Sequence, residues 1–369
     1  MKTNTVYIHQ LSDWTEFTFD HKKILPLLGK VRGKQGELLG RMKSVGFDLQ
    51  MQRSYQNLTL DILKSSEIEG EFLKPDSVRS SIARRLGLKI SGLTPTNRYT
   101  DGIVEMMMDA TQNFQDKLTK EKLFGWHAAL FPTGRSGLYK IEPGKWRTDK
   151  NGPMQVVSGE MGNEKVHFQA PDAKRISSEM NHFIKWFNKK SDEDQLIKAA
   201  IAHFWFVTIH PFDDGNGRIT RALTDMLLAK AEGMSQRFYS MSAQIMKERK
   251  SYYLILERVS KDSTDITGWI EWFLNCLLSA LEQSHETSES VFAKAKFWDN
   301  QKTTHFNPRQ IKMLNKLFDH FDGKLTSIKW AKMNKCSADT ALRDIQDLLD
   351  KKILKKESAG GRSTSYLLK

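Results

Sequence analysis

One short stretch of this chain, residues 210–221, constrains its fold more than any other, and its sequence is HPFDDGNGRITR. The residues just before it, 199–209, are apolar on every side and predict a buried helix. The residues after Gly217 carry apolar side chains at helical spacing and end at Gly233. The stretch is therefore predicted to be a loop that joins two helices at the centre of a mainly α fold.

The residue types in this loop favour an anionic ligand. Gly215 and Gly217 permit positive φ angles and close approach of the backbone, so the turn presents N–H groups and the positive end of the following helix to an anion. Arg218 and Arg221 lie one helical turn apart on the same face, where both reach one phosphate chain. Together these features predict a polyphosphate site.

Two further residues of the loop fit nucleotidyl or phosphoryl transfer. Asp214 supplies the kind of single carboxylate with which Mg²⁺ sits among substrate phosphates and waters. His210 suits a general base that takes the proton of an attacking hydroxyl. Each residue alone has an ordinary structural explanation, but a base, a metal ligand, an anion-binding turn and paired cations in this order indicate a catalytic site.

The loop resembles the signature of the Fic family, H-x-F-x-[D/E]-G-N-G-R-x-x-R, at every specified position. The resemblance implies a protein adenylyltransferase, in which His210 deprotonates a Ser, Thr or Tyr hydroxyl of a target protein and the oxygen attacks the α-phosphate of ATP. It also implies that Asp214 holds Mg²⁺ and that residues 215–221, Asn216 among them, bind phosphates. Asp213 falls at a variable position and is expected to be solvated.

A second motif precedes the loop in the chain. Ser65 and Glu69 share one face near the end of a helix predicted over residues 49–69, and Gly70 is placed to stop that helix. Spacing alone describes an ordinary polar helix end. The motif Ser65-x-x-x-Glu69-Gly70 also matches the inhibitory motif of Fic proteins, [S/T]-x-x-x-E-[G/N]. The resemblance implies that Glu69 pairs with Arg221 and keeps the γ-phosphate of ATP out of position.

Two weaker signals lie on either side of the loop in the sequence. Residues 154–157 and 165–169 predict a β-hairpin, which in Fic proteins forms a flap that holds the target segment as an added strand. A target protein is therefore expected to dock along residues 154–169. The residues Gly144, Trp146 and Arg147 match the family's Gly-x-aromatic-Arg pattern before the flap.

Tyr252 and Tyr253 resemble a tyrosine pair that packs near the adenine in Fic proteins. Core packing on an amphipathic helix is the alternative for one of them.

The last part of the chain, from about residue 305, has a different pattern: three helices followed by strand, Gly-rich turn and strand, which looks like a winged helix. In that case Ser337, Thr340 and Arg343 line the exposed face of the recognition helix and Arg362 lies in the wing. The third helix also carries Asp339, Asp344, Asp347 and Asp350, which disfavour DNA. DNA binding through residues 305–369 and protein docking, including a homodimer, are both left open.

Composition limits the class of protein. Hydrophobic residues make up 39% and aromatic residues 10% of the 369 residues, which indicates a globular chain. Cys276 and Cys336 show no metal-ligand spacing and are expected to be buried free thiols in a reducing compartment. Since no apolar run reaches the length of a membrane span and the N-terminus lacks a signal-peptide core, a cytoplasmic location is expected. The net charge of +13 suits nucleic acid, an acidic partner or a solvated basic surface.

These patterns predict a mainly α chain with three parts. Residues 1–96 form an N-terminal helical domain that ends in the inhibitory helix and a linker, residues 97–285 a Fic-type helical core with a small β-hairpin flap, and residues 300–369 a winged-helix-like domain. Residues 6–9 and 17–19 predict short strands.

The leading functional hypothesis is a self-inhibited protein adenylyltransferase that uses ATP and Mg²⁺. The first alternative is an enzyme that removes AMP at the same site, with Glu69 aligning a water. The second is a DNA-binding regulator that senses a nucleotide without turnover, against which the intact His210 argues.

Overall fold

The computed structural model of the chain describes residues 6–88, 93–150, 152–158, 165–261, 263–318, 321, 323–357 and 364–369. The chain divides into two compact units, Met1–Ser284 and His285–Lys369. Both are mainly helical, as the sequence predicted. Within the ranges just given, no helix has both the length and the apolar composition needed to cross a membrane.

The first unit contains a short 3₁₀ helix and a series of α-helices, and the loop at residues 210–215 joins two of them. The 3₁₀ helix is Ile8–Gln10, and the α-helices are α1 (His21–Lys43), α2 (Phe47–Ile68), α3 (Pro75–Arg85), α4 (Arg98–Gln112), α5 (Lys120–Leu130), α6 (Ala173–Asn188), α7 (Gln195–Ile209), α8 (Asn216–Glu232), α9 (Met241–Lys247), α10 (Arg249–Val259) and α11 (Thr267–Asn300). Helix α11 begins in this unit and continues past its last residue, Ser284, and so past residue 285, where the sequence analysis placed the end of the helical core.

Helices α7 and α8 form the centre of the first unit. Nearly every residue of α7 is buried, which explains why its sequence is apolar on all sides. Gly215 and Gly233 bound α8 with φ angles of 80° and 66°, conformations that glycine adopts without the steric cost of a Cβ atom. The loop between α7 and α8 is thereby held between two packed helices.

The N-terminal segment belongs to the same compact unit as α7 and α8. Asp61 of α2 is buried, and its Oδ1 accepts hydrogen bonds from the Ser240 hydroxyl at 2.6 Å and the Ser242 N–H at 3.0 Å, at the start of α9. This contact ties the predicted inhibitory helix to the helical core. The domain boundary placed near residue 96 stays a prediction.

The short strands predicted at residues 6–9 and 17–19 are not formed. The first run enters the 3₁₀ helix, and among the described residues the two runs make isolated bridges, Tyr7 with Lys261 and Thr18 with Asp265. Both partners lie between α10 and α11, outside any strand.

The predicted flap hairpin is present, and a smaller hairpin precedes it. The strands are β1 (Arg135–Ser136), β2 (Tyr139–Lys140), β3 (Gln155–Ser158) and β4 (Lys165–Gln169), with β1 antiparallel to β2 and β3 antiparallel to β4. The turn of the flap, residues 159–164, lies outside the described residues. His9 Nε2 lies 2.8 Å from the Gln169 carbonyl oxygen, so the N-terminal segment contacts the end of the flap.

The second unit consists of helices and a small antiparallel sheet. Its elements are α12 (Pro308–Phe318), β5 (Leu325–Thr326), α13 (Ser327–Asn334), α14 (Ala338–Asp350), β6 (Leu354–Lys356) and β7 (Ser365–Leu368), with the strand order β5-β7-β6. Its core includes Trp330, Met313 and Leu348. The winged-helix interpretation, DNA binding, protein docking and a homodimer through this unit stay predictions, and Arg362 lies outside the described residues.

The side chains of α14 differ in one respect from the sequence analysis. Ser337 and Arg343 are exposed and Thr340 is half-buried, on the face expected for them. Asp344 is only 5% exposed, because Arg309 holds its carboxylate with bonds of 2.7 and 2.9 Å. Asp344 therefore adds little negative charge to the exposed face of this helix. The expectation that it disfavours DNA there is wrong, because Arg309 neutralises it. Of the two free cysteines, Cys276 is buried and Cys336 only half-buried.

A buried histidine in α7 makes the first unit sensitive to acid. The ring nitrogens of His203 lie 2.9 Å from Thr224 Oγ1 and from the Tyr252 hydroxyl. Burial, with the positive charge of Arg221, lowers the pKa of His203 to about 3. In the unfolded chain the pKa is about 6.5. Because the unfolded chain binds the extra proton between these values, the contribution of His203 to stability is complete above pH 6.5 and is lost as the pH falls toward 3.

We expect the free energy of unfolding of the intact chain to fall by about 2 kcal/mol more than that of the His203→Gln variant between pH 7 and pH 5. Urea unfolding at the two pH values measures the difference. The comparison uses the change with pH, because the substitution itself lowers stability at both values. Parallel pH dependences in the two proteins would contradict the prediction.

Candidate active site

His210 ends α7 in a left-handed backbone conformation, with φ 51° and ψ 59°. Its Nδ1 lies 3.3 Å from the Val207 carbonyl oxygen, which fixes Nδ1–H as the donor and leaves the lone pair on Nε2. Burial lowers the pKa of His210 to about 4; the charge of Arg147 acts in the same direction, and Glu69 and Asp214 oppose it. The imidazole is therefore neutral at pH 7 and able to accept a proton.

The loop after His210 is shaped by Gly215 and Asn216. A Cβ atom at residue 215 would lie 2.9 Å from the Phe131 ring, so the position requires glycine for space as well as for its positive φ. The Asn216 side chain bonds both the N–H and the carbonyl of Phe212, at 2.9 and 2.8 Å. The side-chain amide of Asn216 is therefore occupied within the loop. The group of Asn216 that remains for the predicted phosphate contact is its backbone N–H, at the start of α8.

Arg221 contacts the end of α2. Its Nε donates to the Ser65 hydroxyl at 2.8 Å, and its Nη2 donates to the Ser65 carbonyl at 2.7 Å and to Glu69 Oε1 at 2.8 Å. Gly70 has a φ of 83°, and the N–H of Glu71 returns to the Ser66 carbonyl at 3.0 Å, which closes the helix end. The ion pair expected between Glu69 and Arg221 is thus present in the structure.

The carboxylate of Glu69 also lies at the start of α8. A methyl group on Gly217 would come within 2.0 Å of Glu69 Oε1, so the carboxylate fills the space next to the Gly217 backbone. The N-terminus of a helix attracts anions through its free N–H groups and its dipole. Glu69 therefore occupies a position that suits a phosphate group.

Arg218 is held by residues that the sequence analysis did not single out. Its Nη1 donates to Glu71 Oε2 at 2.7 Å and to the Tyr99 hydroxyl at 2.8 Å, and its guanidinium lies 5.1 Å from the centre of the Phe131 ring. Its Nε is buried and has no hydrogen-bond partner among the residues that the structure describes. Glu71 could have been found, because it follows Glu69 across the Gly70 turn. Tyr99 left no local signal.

The carboxylate of Asp214 suits a magnesium site whose other ligands are substrate phosphates and waters. Its Oδ1 accepts the Gly215 N–H at 2.5 Å, its Oδ2 accepts the Ser136 hydroxyl, and Arg218 Nη2 lies 3.8 Å away. The side chain is 40% exposed. Within the described ranges no group of three or more His, Cys, Asp or Glu side chains could hold a metal ion. A single, partly exposed Asp214 fits Mg²⁺, which usually takes one or two protein carboxylates and completes its coordination shell with phosphates and waters. Asp213 is exposed, as expected.

The tyrosine pair has two different environments. Tyr252 is buried and bonds His203, so it belongs to the core. Tyr253 is 37% exposed, and its ring centre lies 5.3 Å from the guanidinium of Arg249. Arg249 in turn donates to the Ile68 carbonyl of α2 at 2.9 Å. Of the pair, Tyr253 is the one with a face available to a ligand.

Two family models match the chain. Residues 117–228 match the Fic/DOC family, and residues 7–88 match a domain of unknown function, DUF4172. A protein adenylyltransferase Fic from Aedes aegypti is 32% identical over 228 residues, which is 60% of this chain and 40% of the relative. A probable protein adenylyltransferase from Aquifex aeolicus is 24% identical over 154 residues, 40% of this chain and 47% of the relative. The chain therefore spans less than half the length of these curated relatives.

Solved structures show the same fold. A Fic family protein from Desulfovibrio desulfuricans G20 superimposes with a TM-score of 0.54 at 20% identity, over 94% of this chain and 95% of that one. A Fic domain containing signaling protein from Bacteroides thetaiotaomicron gives 0.52 at 17% identity, over 69% of this chain and 96% of that one. The resemblance drawn from the loop sequence and the predicted mainly α architecture are confirmed.

Proposed function

We propose that this chain, in which residues 117–228 form a Fic domain, transfers AMP from ATP to a hydroxyl group of a protein and is restrained by its own Glu69. The observation that carries the proposal is the grouping of a neutral His210 with the N-terminus of α8 and the buried Arg218 and Arg221. This grouping pairs a proton acceptor with a site for several phosphates. The adenylyltransferase names of the relatives support the same reaction.

The proposed reaction is an in-line displacement at the α-phosphorus. His210 Nε2 takes the proton of a Ser, Thr or Tyr hydroxyl as the hydroxyl oxygen forms a bond to that phosphorus. The bond between the α-phosphorus and the bridging oxygen to the β-phosphate breaks, and pyrophosphate leaves with its electron pair. AMP remains on the target as a phosphodiester.

The phosphates are proposed to lie along the start of α8. The N–H groups of Asn216 and Gly217 would bind the oxygens nearest the helix, since the Gly215 N–H already bonds Asp214. Arg218 and Arg221 would bind the rest of the phosphate chain. Asp214 would hold Mg²⁺, which when bound neutralises phosphate charge and stabilises the leaving pyrophosphate. Tyr253 is proposed to pack against the adenine.

Inhibition by Glu69 follows from the space that its carboxylate takes. The carboxylate bonds Arg221 and lies against Gly217, so it removes a cation from the phosphate site and repels an incoming phosphate. ATP would then bind without the alignment that in-line attack requires. Ser65 contributes by bonding the same guanidinium.

The target is proposed to dock on the flap hairpin. An extended segment added beside β3 or β4 would gain main-chain hydrogen bonds and present its hydroxyl near His210. Val157 and Val166 are 48% and 42% exposed and offer apolar contacts to such a segment.

The reaction is tested by the position of the label in ATP. We expect protein-bound label from α-labelled ATP, none from γ-labelled ATP, and release of pyrophosphate. Label transferred from the γ position would indicate a kinase instead, and the absence of transfer from either position, in the parent and in Glu69→Gly, would reject the proposal.

One observation also favours the reverse reaction. Glu69 lies close enough to His210 for its negative charge to oppose part of the lowering of the His210 pKa, so Glu69 would be placed to align a water against a phosphodiester. A pre-modified target that loses AMP in the parent protein, and keeps it in Glu69→Gly, would support that alternative.

We expect Asp214→Ala to weaken Mg²⁺-dependent nucleotide binding by about 10-fold or more and Asp213→Ala to have little effect. Asp214 faces the start of α8, whereas Asp213 is exposed on the neighbouring residue of the loop. The two variants are matched, since each removes one carboxylate from the same loop. Titration of a fluorescent ATP analogue with and without Mg²⁺ measures the effect, and a larger loss in Asp213→Ala would show that the metal ligand is wrongly assigned.

A further inference from the structure

Arg147 makes contacts that the proposed function does not use. It lies between β2 and β3, and its side chain has no exposed surface. The guanidinium donates in three directions, from Nε to the His210 carbonyl at 2.7 Å, from Nη2 to the Pro171 carbonyl at 2.5 Å and from Nη1 to Asp149 Oδ1 at 2.9 Å. Its backbone N–H donates to the Pro211 carbonyl at 2.9 Å.

The first of these contacts fixes the backbone of the proposed base. His210 is a non-glycine residue with a φ of 51°, a conformation that costs about 1 kcal/mol or more and persists only where the surroundings hold it. Arg147 bonds the carbonyl of His210 through its side chain and the carbonyl of Pro211 through its main chain. Arg147 therefore holds the two peptide groups that follow His210 in the chain.

The second contact reaches the end of the flap. Pro171 lies two residues after β4 (Lys165–Gln169), and the intervening Ala170 donates its N–H to the Met154 carbonyl at 2.9 Å, at the start of the other flap strand. Asp149, which pairs with Arg147, accepts the N–H of Ala173 at the start of α6 at 2.6 Å. The Arg147 guanidinium thus connects His210 to Pro171, after the flap, and through Asp149 to Ala173, at the start of α6.

We infer that Arg147 is a positioning residue that fixes the distance between the His210 imidazole and the flap on which the target docks. This inference rests on the proposed function. Lysine cannot replace Arg147, because the three acceptors lie in the directions of a planar guanidinium and an ammonium on a flexible chain does not hold all of them. A small displacement between base and hydroxyl lowers the rate of the chemical step without changing the phosphate site.

The test uses the full-length Glu69→Gly protein with Arg147→Lys or Arg147→Met added. We expect both to lower kcat about 10- to 100-fold while KM for ATP stays unchanged, because Arg147 contacts none of the residues proposed to bind phosphate. Arg175→Lys is the control. Arg175 also donates to a backbone carbonyl, that of His9 at 2.9 Å, but lies outside the site, so its loss is expected to leave kcat unchanged.

A second measurement separates positioning from general stability. The charges that act on His210 are those of Arg147, which lowers its pKa, and of Glu69 and Asp214, which raise it. An NMR titration of the His210 ring is therefore expected to shift to higher pH in Arg147→Met and to stay near the parent value in Arg147→Lys, which keeps the charge. A fall of kcat in Arg147→Lys with an unshifted His210 titration would assign the effect to the geometry that Arg147 fixes and not to its charge, whereas a purely structural role would lower the melting temperature and leave kcat of the folded protein unchanged.

Unchanged kcat in a folded Arg147→Lys protein would overturn the inference, and so would identical titrations of His210 in the parent and in Arg147→Met. Failure of the parent protein to transfer AMP at all would instead reject the proposed function. The titration would still decide whether Arg147 acts on His210.

Discussion

Replacing Glu69 by glycine is expected to raise the rate of AMP transfer, self-modification included, by up to about 10²-fold. In the structure the carboxylate bonds Arg221 at 2.8 Å and fills the space beside Gly217. Its removal is expected to free a cation for the γ-phosphate and to take a like charge out of the proposed phosphate path. Initial rates of incorporation from α-labelled ATP, at equal protein and Mg²⁺ concentrations, measure the change.

The two partners of this ion pair must differ in the sign of their effects. Arg221→Ala breaks the same contact but also deletes the cation that the phosphate requires, so it is expected to lower transfer. Ser65→Ala should activate mildly, since Ser65 bonds Arg221 without carrying a charge. Glu67→Gln is the matched control: Glu67 lies at the same helix end but pairs with Lys64 at 2.5 Å, away from the site. Activation by Arg221→Ala as well would mean that the phosphate does not need Arg221, and it would contradict the proposed phosphate site.

Glu71 is expected to limit the activation by Glu69→Gly. Its Oε2 lies 2.7 Å from Arg218 Nη1 in the structure, and this contact does not involve Glu69, so one of the arginines proposed to bind phosphate would keep a carboxylate partner in that variant. We therefore expect Glu69→Gly combined with Glu71→Gln to exceed Glu69→Gly in ATP affinity. Both carboxylates project from one helix end that Gly70 closes. Binding of a nucleotide that cannot react, measured in both variants, gives the affinities, and equal affinities would contradict the role of Glu71.

Features encoded by neighbouring residues could be predicted from the sequence. The helices on either side of the loop follow from apolar spacing and from Gly233, and the flap strands follow from alternating residues between turn signals. The contact between Glu69 and Arg221 was predicted from a motif match alone. Their spacing in the sequence does not predict it, because the two residues are far apart in the chain.

The rest depends on packing between distant segments. Tyr99 reaches Arg218 and Ser136 reaches Asp214 only because α4 and the β1–β2 hairpin pack around the start of α8. A single tyrosine or serine carries no periodic signal of such a contact. Asp344 was misjudged for the same reason, since its sequence neighbours do not reveal that Arg309 covers it.

His210→Ala is expected to lower AMP transfer by about 10²- to 10⁴-fold while ATP affinity stays nearly unchanged. The ring is proposed to accept the proton of the attacking hydroxyl at Nε2, and its one hydrogen bond among the described residues is to the Val207 carbonyl, so its loss is expected to affect the chemical step alone. Transfer and binding are measured separately, by incorporation from α-labelled ATP and by titration with a nucleotide that cannot react. Undiminished incorporation in a folded His210→Ala protein would reject the assigned base.

The pH dependence gives the same base a second, independent signature. Since burial holds the pKa of His210 at about 4, the lone pair on Nε2 is available at pH 7 and is lost only when the pH falls through about 4. We expect kcat/KM of Glu69→Gly to stay level from pH 7 to about 5 and to fall only at about pH 4 or below, because removing Glu69 takes away a charge that raises the pKa of His210, in samples shown by circular dichroism to be folded. The residual activity of His210→Ala should lack this fall, because the group that titrates is gone. A fall centred near 6.5 would place a solvent-exposed histidine, and not the buried His210, in control of the reaction.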